Sequence, residues 1–188
     1  MGQHLGVEAP PEEIELPDVG ATLRRHRPEH LAVVHAAIEE SRNHLRPWMP
    51  WADQSRADTE TFLHRAVDDW EQGRNFGWMI VDTTEGSDGA VLGGTGLHDR
   101  LGPEALEIGY WRRADAGARG LVTASSRALT AAALALPGIE RVEIHCDEAN
   151  TASAAVPRRL GYRLDRIEDK PITAPGEHGR SMIWVHQP

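Results

Sequence analysis

Cysteine is almost absent. The single one in 188 residues, Cys146, excludes a disulfide within the chain and any cysteine-rich metal site, and its apolar surroundings read as core. No leader is expected either: the first residues, MGQHLGVEAPPEEIELPD, are acidic and proline-bearing with no apolar stretch, and no run elsewhere approaches the length of a membrane span. The expectation is a cytoplasmic protein that does not engage a membrane. Positive charge is in deficit. The formal net charge of −9 argues against direct nucleic-acid or anionic-membrane binding and leaves room for a basic or amine-bearing partner, although solubility alone would account for it. Phe and Tyr are scarce, two of each against six Trp. There is no internal repeat, low-complexity tract or linker. Residues 1–18, with three Pro and five acids, read as a flexible arm before a single domain over 19–188. No metal is expected: the nearest histidine trio, His26, His30 and His35, lacks ligand spacing with a carboxylate on one face.

What is present is ordinary globular chemistry, 40% hydrophobic and 26% charged residues, in a chain long enough to hide roughly 70% of its unfolded surface. Ala21–Arg27 reads as a strand. Leu31, Val34 and Ile38 define a helix over Pro28–Arg42. A loop, His44–Gln54, carries two Trp and two Pro. Asp58 is the expected cap of a second helix with Phe62, Ala66, Val67 and Trp70 on its apolar face. Strands are expected at Gly77–Asp82, Ala90–Leu97 and Leu106–Trp111. A helix should run from Gly120 to about Leu136. Ile139–Cys146 follows as a strand, Thr151–Leu160 as a short helix, and Tyr162–Ile167 and Ser181–His186 as the last strands. Helices between strands require crossovers, so the sheet should be mixed, in an α+β layered domain.

The chemistry concentrates in two helix starts. In EIGYWRRADAGARGLVTASSRAL, Glu107 to Leu129, a strand ends, a loop with Gly117 and Gly120 follows, and a helix begins at once. The unpaired N–H groups of such a helix start can hold a diphosphate, with Gly120 letting the backbone approach, Arg119 adding charge and Thr123 a hydroxyl. About 30 residues on, a strand again precedes a helix start, with Asn150 placed to cap and Ser153 at its N3 position. Both starts would face one edge of the sheet, with room for a ligand between them. The Gly loop lacks the Gly-Lys-Ser/Thr ending of a nucleotide-binding P-loop.

These two segments resemble the acetyl-CoA-binding core of the GNAT superfamily of N-acetyltransferases, and most of all its ribosomal-protein serine and alanine N-acetyltransferase branch. His44-Leu45-Arg46-Pro47-Trp48-Met49-Pro50-Trp51 is similar to that branch's HL..W.PW loop. Leu92-Gly93-Gly94-Thr95-Gly96-Leu97-His98 resembles its LIG..GLH strand, and Glu107-Ile108-Gly109-Tyr110-Trp111 its EIGYW strand. The likeness runs from about Leu31 to Tyr162. Two departures stand out. In the superfamily pattern Gln/Arg-x-x-Gly-x-Gly/Ala the key positions here are Gly117, Gly120 and Val122, and Pro157 falls inside the last helix.

The resemblance implies a GNAT fold, a mixed twisted sheet of six to seven strands flanked by four helices. It implies transfer of an acetyl or other short acyl group from acyl-CoA to a primary amine, on a small molecule or a protein N-terminus. A GNAT-fold module that binds acyl-CoA without turnover is the alternative. Acetyl-CoA would lie with its diphosphate on Ala118, Arg119, Gly120, Leu121, Val122 and Thr123, its pantetheine along Gly109, Tyr110 and Trp111, and a further contact at Asn150. Ser153 is the candidate general acid for the leaving sulfur, or a helix first-turn residue only. Glu107, through a water, and His98 are competing bases, each also readable as an ordinary strand residue. Trp48 and Trp51 form either a substrate wall or a plug at the core edge. The likeness also leaves room for a homodimer.

Overall fold

A computed structural model describes residues 9–188. Eight strands form one sheet in the order β1-β2-β3-β4-β5-β6-β8-β7. They are β1 (Glu13–Leu16), β2 (Ala21–Arg25), β3 (Asn75–Asp82), β4 (Val91–His98), β5 (Ala105–Arg112), β6 (Arg141–Asp147), β7 (Arg163–Asp169) and β8 (Arg180–His186). Four helices flank it: α1 (Leu31–Leu45), α2 (Arg56–Glu71), α3 (Leu121–Leu134) and α4 (Thr151–Arg159). Every strand pair is antiparallel except β5–β6, which α3 joins by a crossover. No helix among the described residues is long and apolar enough to cross a membrane.

The strand missing from the sequence reading is β1. Glu13–Leu16 pairs with Leu16 opposite Ala21 and Glu13 opposite Arg24, so this part of the expected arm is sheet edge; residues 1–8 of the arm lie outside the described residues. The second helix is capped by Ser55 rather than Asp58. Ser55 Oγ accepts the Asp58 N–H at 3.2 Å while the Asp58 carboxylate accepts the Ser55 N–H at 2.9 Å, a reciprocal capping box. Its buried positions are Thr59, Leu63 and Trp70, whereas Phe62 is exposed at its edge, against His26.

The two faces of the sheet carry separate cores. Val34, Ala37, Ile38 and Leu45 of α1 pack on Met79, Val81 and Val91. On the other face Leu121, Leu129 and Ala133 of α3 and Ala154 of α4 pack on Leu23, Trp78, Ile80, Leu97, Ile108, Val142 and Ile144. Period-2 alternation makes this possible, since Trp78 and Ile80 point one way and Met79 and Val81 the other. Beyond β6 the chain is clipped back. The Asp147 carboxylate accepts the N–H groups of Ala149 (3.0 Å), His178 (3.1 Å), Gly179 (2.9 Å) and Arg180 (3.2 Å), and Gly176 donates to the Pro47 carbonyl at 2.8 Å. Burial pushes that carboxyl's pKa up; the four donors outweigh it and hold it below the usual carboxylate range. The loop before β8 is thereby fastened both to the end of β6 and to the loop after α1.

Candidate active site

β5 and β6 stay together for three register pairs only, Ala105–Arg141, Leu106–Val142 and Glu107–Glu143. Both strands continue past that point, β5 to Arg112 and β6 to Asp147, so a gap opens between them. The hydrogen-bonding phase of β5 decides what lines it. Arg113 N–H donates to the Leu92 carbonyl at 2.8 Å, and the β4–β5 register runs without a bulge from Gly93–Arg112 to His98–Glu107. Residues 107, 109, 111 and 113 therefore hydrogen-bond toward β4, and 108, 110 and 112 turn their backbone groups toward β6. Past the last paired position, the Tyr110 N–H points into the gap with no strand to receive it. Of the three residues expected along the pantetheine, Tyr110 offers the free donor; Gly109 and Trp111 spend theirs on β4.

At the head of the gap lies the start of α3. Its N-cap is Gly120 at φ 78°, a left-handed conformation that disfavours a side chain, and no side chain caps the helix. The first N–H with a helical partner is that of Ala124, donating to Gly120 O at 2.9 Å. The N–H groups of Leu121, Val122 and Thr123 are left bare at the positive end of the helix dipole. Val122, in place of a small residue, still presents its main-chain N–H. Arg119 is not aimed at this start: its guanidinium donates twice to Asp82, at 3.2 Å each, and those bonds hold the Asp82 pKa at about 2.

The second helix start differs. Asn150 Oδ1 accepts the Ser153 N–H at 3.0 Å, so α4 is capped. Ser153 Oγ sits 2.9 Å from the Tyr110 hydroxyl, which also donates to the Ser153 carbonyl at 3.2 Å. Pro157 explains the second bond. Ser153 is four residues before Pro157, and proline has no N–H to give its carbonyl. The Tyr110 hydroxyl takes that place. With its one hydrogen spent on the carbonyl, Tyr110 accepts the Ser153 hydroxyl. Burial raises the Tyr110 hydroxyl pKa well above its ordinary value, so the group stays protonated. Burial likewise raises the Cys146 thiol pKa. The helix ends as a Schellman motif, Tyr162 N–H to Pro157 O at 3.0 Å around Gly161 at φ 77°.

The opposite face of the gap carries Glu107, Gly109 and Trp111 of β5 with His98 of β4. Glu107 is buried, and Arg100 grips both its oxygens, at 2.7 and 2.6 Å. His98 lies over the backbone of Gly109, where a Cβ would come within 2.9 Å of its Nε2; this is why that position is glycine. Burial first, and then Arg100, lower the His98 pKa to about 4, leaving the ring neutral and a weak base. Trp51 meets Trp111 edge to face, centroids 5.9 Å apart, and joins the α1-side core, while Trp48 is half-buried beside it. His26 is buried, His30 accepts the Arg27 N–H and His35 bonds Thr59, and no cluster of metal-binding side chains occurs among the described residues. Sequence reasoning missed Arg100, His145 and the Tyr110 hydroxyl. The alternation of RVEIHCD, which puts Arg141, Glu143 and His145 on the Glu107 face, was the signal for His145.

A sheet parted between two parallel strands, with a bare helix start at its head, is the arrangement of an acyl-CoA acyltransferase. Residues 21–163 match the family model described as the acetyltransferase (GNAT) domain, and the chain belongs to that family. A protein of Bacillus subtilis (strain 168), YdaF, provisionally described as a ribosomal N-acetyltransferase, is 27% identical over 146 residues, 75% of this chain and 76% of its own. Among solved structures, RimL, the ribosomal L7/L12 alpha-N-protein acetyltransferase with coenzyme A, aligns at TM-score 0.80 and 20% identity over 96% of this chain and 98% of its own. The microcin C7 self-immunity acetyltransferase MccE, with acetyl-CoA and AMP, aligns at 0.83 and 19% over 98% and 99%.

Proposed function

We propose that this acetyltransferase moves an acetyl group from acetyl-CoA directly to a primary amine, and that its acceptor is a protein N-terminus. The observation that carries the reading is the parted β5–β6 pair, with an unpaired Tyr110 N–H at its lip and the uncapped start of α3 at its head. The diphosphate would sit on the N–H groups of residues 120–123, with Arg119 free to leave Asp82 for it. The thioester would lie along β5 with its carbonyl oxygen on the Tyr110 N–H, where negative charge develops as the amine attacks. Ser153, held by Asn150 and Tyr110, is the proton source for the departing thiolate. The Trp48–Trp51 loop walls the acceptor side, and the net charge of −9 favours a cationic amine. RimL is named as acting on the α-amino group of a ribosomal protein, and that name supports a chain-end acceptor here.

The test is release of free thiol from acetyl-CoA with peptides beginning in Ser or Ala, polyamines and aminoglycosides, with products identified by mass spectrometry. Peptide N-termini should be acetylated. Tight acetyl-CoA binding with no thiol release on any amine would instead identify a binding module.

A further inference from the structure

Five charged or titratable groups form one chain across the mouth of the gap. Arg100 holds Glu107 at 2.6 and 2.7 Å, and Arg141 Nε donates to Glu143 at 2.9 Å. His145 lies between the two carboxylates, Nε2 2.7 Å from Glu143 and Nδ1 3.6 Å from Glu107. Glu107 and Glu143 are register partners and the last pair before the strands part, and His145 is two residues farther along β6 on the same face. It therefore stands at the lip of the gap. The residue two positions beyond Glu107 on β5 is Gly109, which puts no side chain there.

The shorter contact favours one tautomer of the neutral ring. A carboxylate only accepts, so the 2.7 Å contact needs the hydrogen on Nε2. In the neutral ring Nδ1 is then bare, and it faces a Glu107 oxygen that is also an acceptor. Two acceptors 3.6 Å apart, with no hydrogen between them, define a seat for a donor. An ammonium group fits it, giving one N–H to each.

We propose that His145 Nδ1, paired with Glu107, is the seat of the acceptor's ammonium group and takes its proton. The proposal rests on the amine-acetyltransferase reading above. The ammonium passes one proton to Nδ1, and the free amine attacks the thioester carbon. The C–N bond forms and the C–S bond breaks. The thiolate takes a proton from Ser153, which regains one from solvent, and the amide nitrogen's surplus proton leaves through the Glu107–His145 seat once the imidazolium has discharged to solvent. The imidazolium so formed lies between two carboxylates. Two guanidiniums, Arg100 and Arg141, balance those carboxylates, so the five-membered chain changes from neutral to singly positive. Arg166 of β7 also bears on Glu143, and Ile183 of β8, opposite His145, brings no charge. Glu107 alone is poorly placed for this role because Arg100 occupies both its oxygens.

Full-length His145→Gln separates the possibilities. Expected are a fall of about 10²-fold or more in kcat/KM for a peptide amine, loss of the acidic limb of its pH profile, and partial rescue by free imidazole, with acetyl-CoA affinity within twofold. Unchanged kcat/KM and pH profile in this variant would overturn the proposal. ¹⁵N spectra of the wild-type imidazole test it without turnover: hydrogen on Nε2 is expected, and a neutral ring carrying it on Nδ1 would refute the seat. If wild-type protein with that expected tautomer acetylates no amine, the failure lies with the acetyltransfer reading, and the role built on it goes too.

Discussion

Pro157 and Tyr110 should be coupled, and the coupling can be measured. In the wild type the Ser153 carbonyl has the Tyr110 hydroxyl as partner because Pro157 cannot supply one. Tyr110→Phe removes that donor and the Ser153 Oγ contact together. Leaving a buried acceptor unpaired costs about 1–3 kcal/mol, so Tyr110→Phe alone should destabilise by about 2 kcal/mol. Pro157→Ala restores an N–H four residues after Ser153. In that background the carbonyl keeps a helical partner, and Tyr110→Phe loses only the hydroxyl pair, about 1 kcal/mol. The expected interaction energy is therefore about 1 kcal/mol, above the 0.3–0.5 kcal/mol within which independent sites add. Urea unfolding of the four proteins reads it, and each kcal/mol should move the melting midpoint by roughly 2–4 °C for a domain of this size. Additive effects would show that the Tyr110 hydroxyl does not replace the missing N–H, and the account of Pro157 would fall.

Three further outcomes follow from the site. Gly120→Pro adds a ring and fixes φ near −65°, against the observed 78°, so acetyl-CoA affinity should be lost while circular dichroism shows the sheet intact; retained affinity would move the diphosphate elsewhere. Ser153→Ala should lower kcat by about 10²-fold or more with little change in acetyl-CoA binding, whereas a fall explained by stability alone would return Ser153 to a structural role. Acid should destabilise the fold early. Burial lowers both His26 and His98 to about 4 from an ordinary 6.5, so the unfolded chain binds these protons first. Their contribution is complete above pH 6.5 and is lost as pH falls through 4. Melting curves across that window should drop steeply, and His26→Gln should flatten the slope; equal slopes would mean the rings are already charged in the fold.

The glycine-rich meander and the two helix starts were readable because their signals are local: alternation in β3 to β5, a Gly pair before α3, an Asn three residues before Ser153. β1 was not. EIEL is acidic and flanked by proline, and only its pairing with β2, through Arg24 against Glu13, makes it a strand. Assigning the second cap to Asp58 mistook one half of a reciprocal pair for the whole, since Ser55 and Asp58 each bond the other's N–H. The site divides the same way. Gly120, Asn150 and Ser153 are positions in a local motif. The union of Tyr110 with Ser153 spans 43 residues, and the grip of Arg100 on Glu107 reaches out of a polar turn, so neither leaves a trace in periodicity. Pro157 looked like damage to a helix because the hydroxyl that compensates for it belongs to another strand.

The four N–H groups gathered by Asp147 have a mechanical consequence. Asp147 ends β6, the strand whose departure from β5 makes the gap, and the loop it clasps also touches the segment carrying Trp48 and Trp51. The strand and the Trp48–Trp51 segment are one assembly. On the proposed reading, a bulkier acyl chain that pushed β6 outward would carry that segment with it, and donor size and acceptor access would be geared to each other through the Asp147 clasp and the Gly176–Pro47 bond.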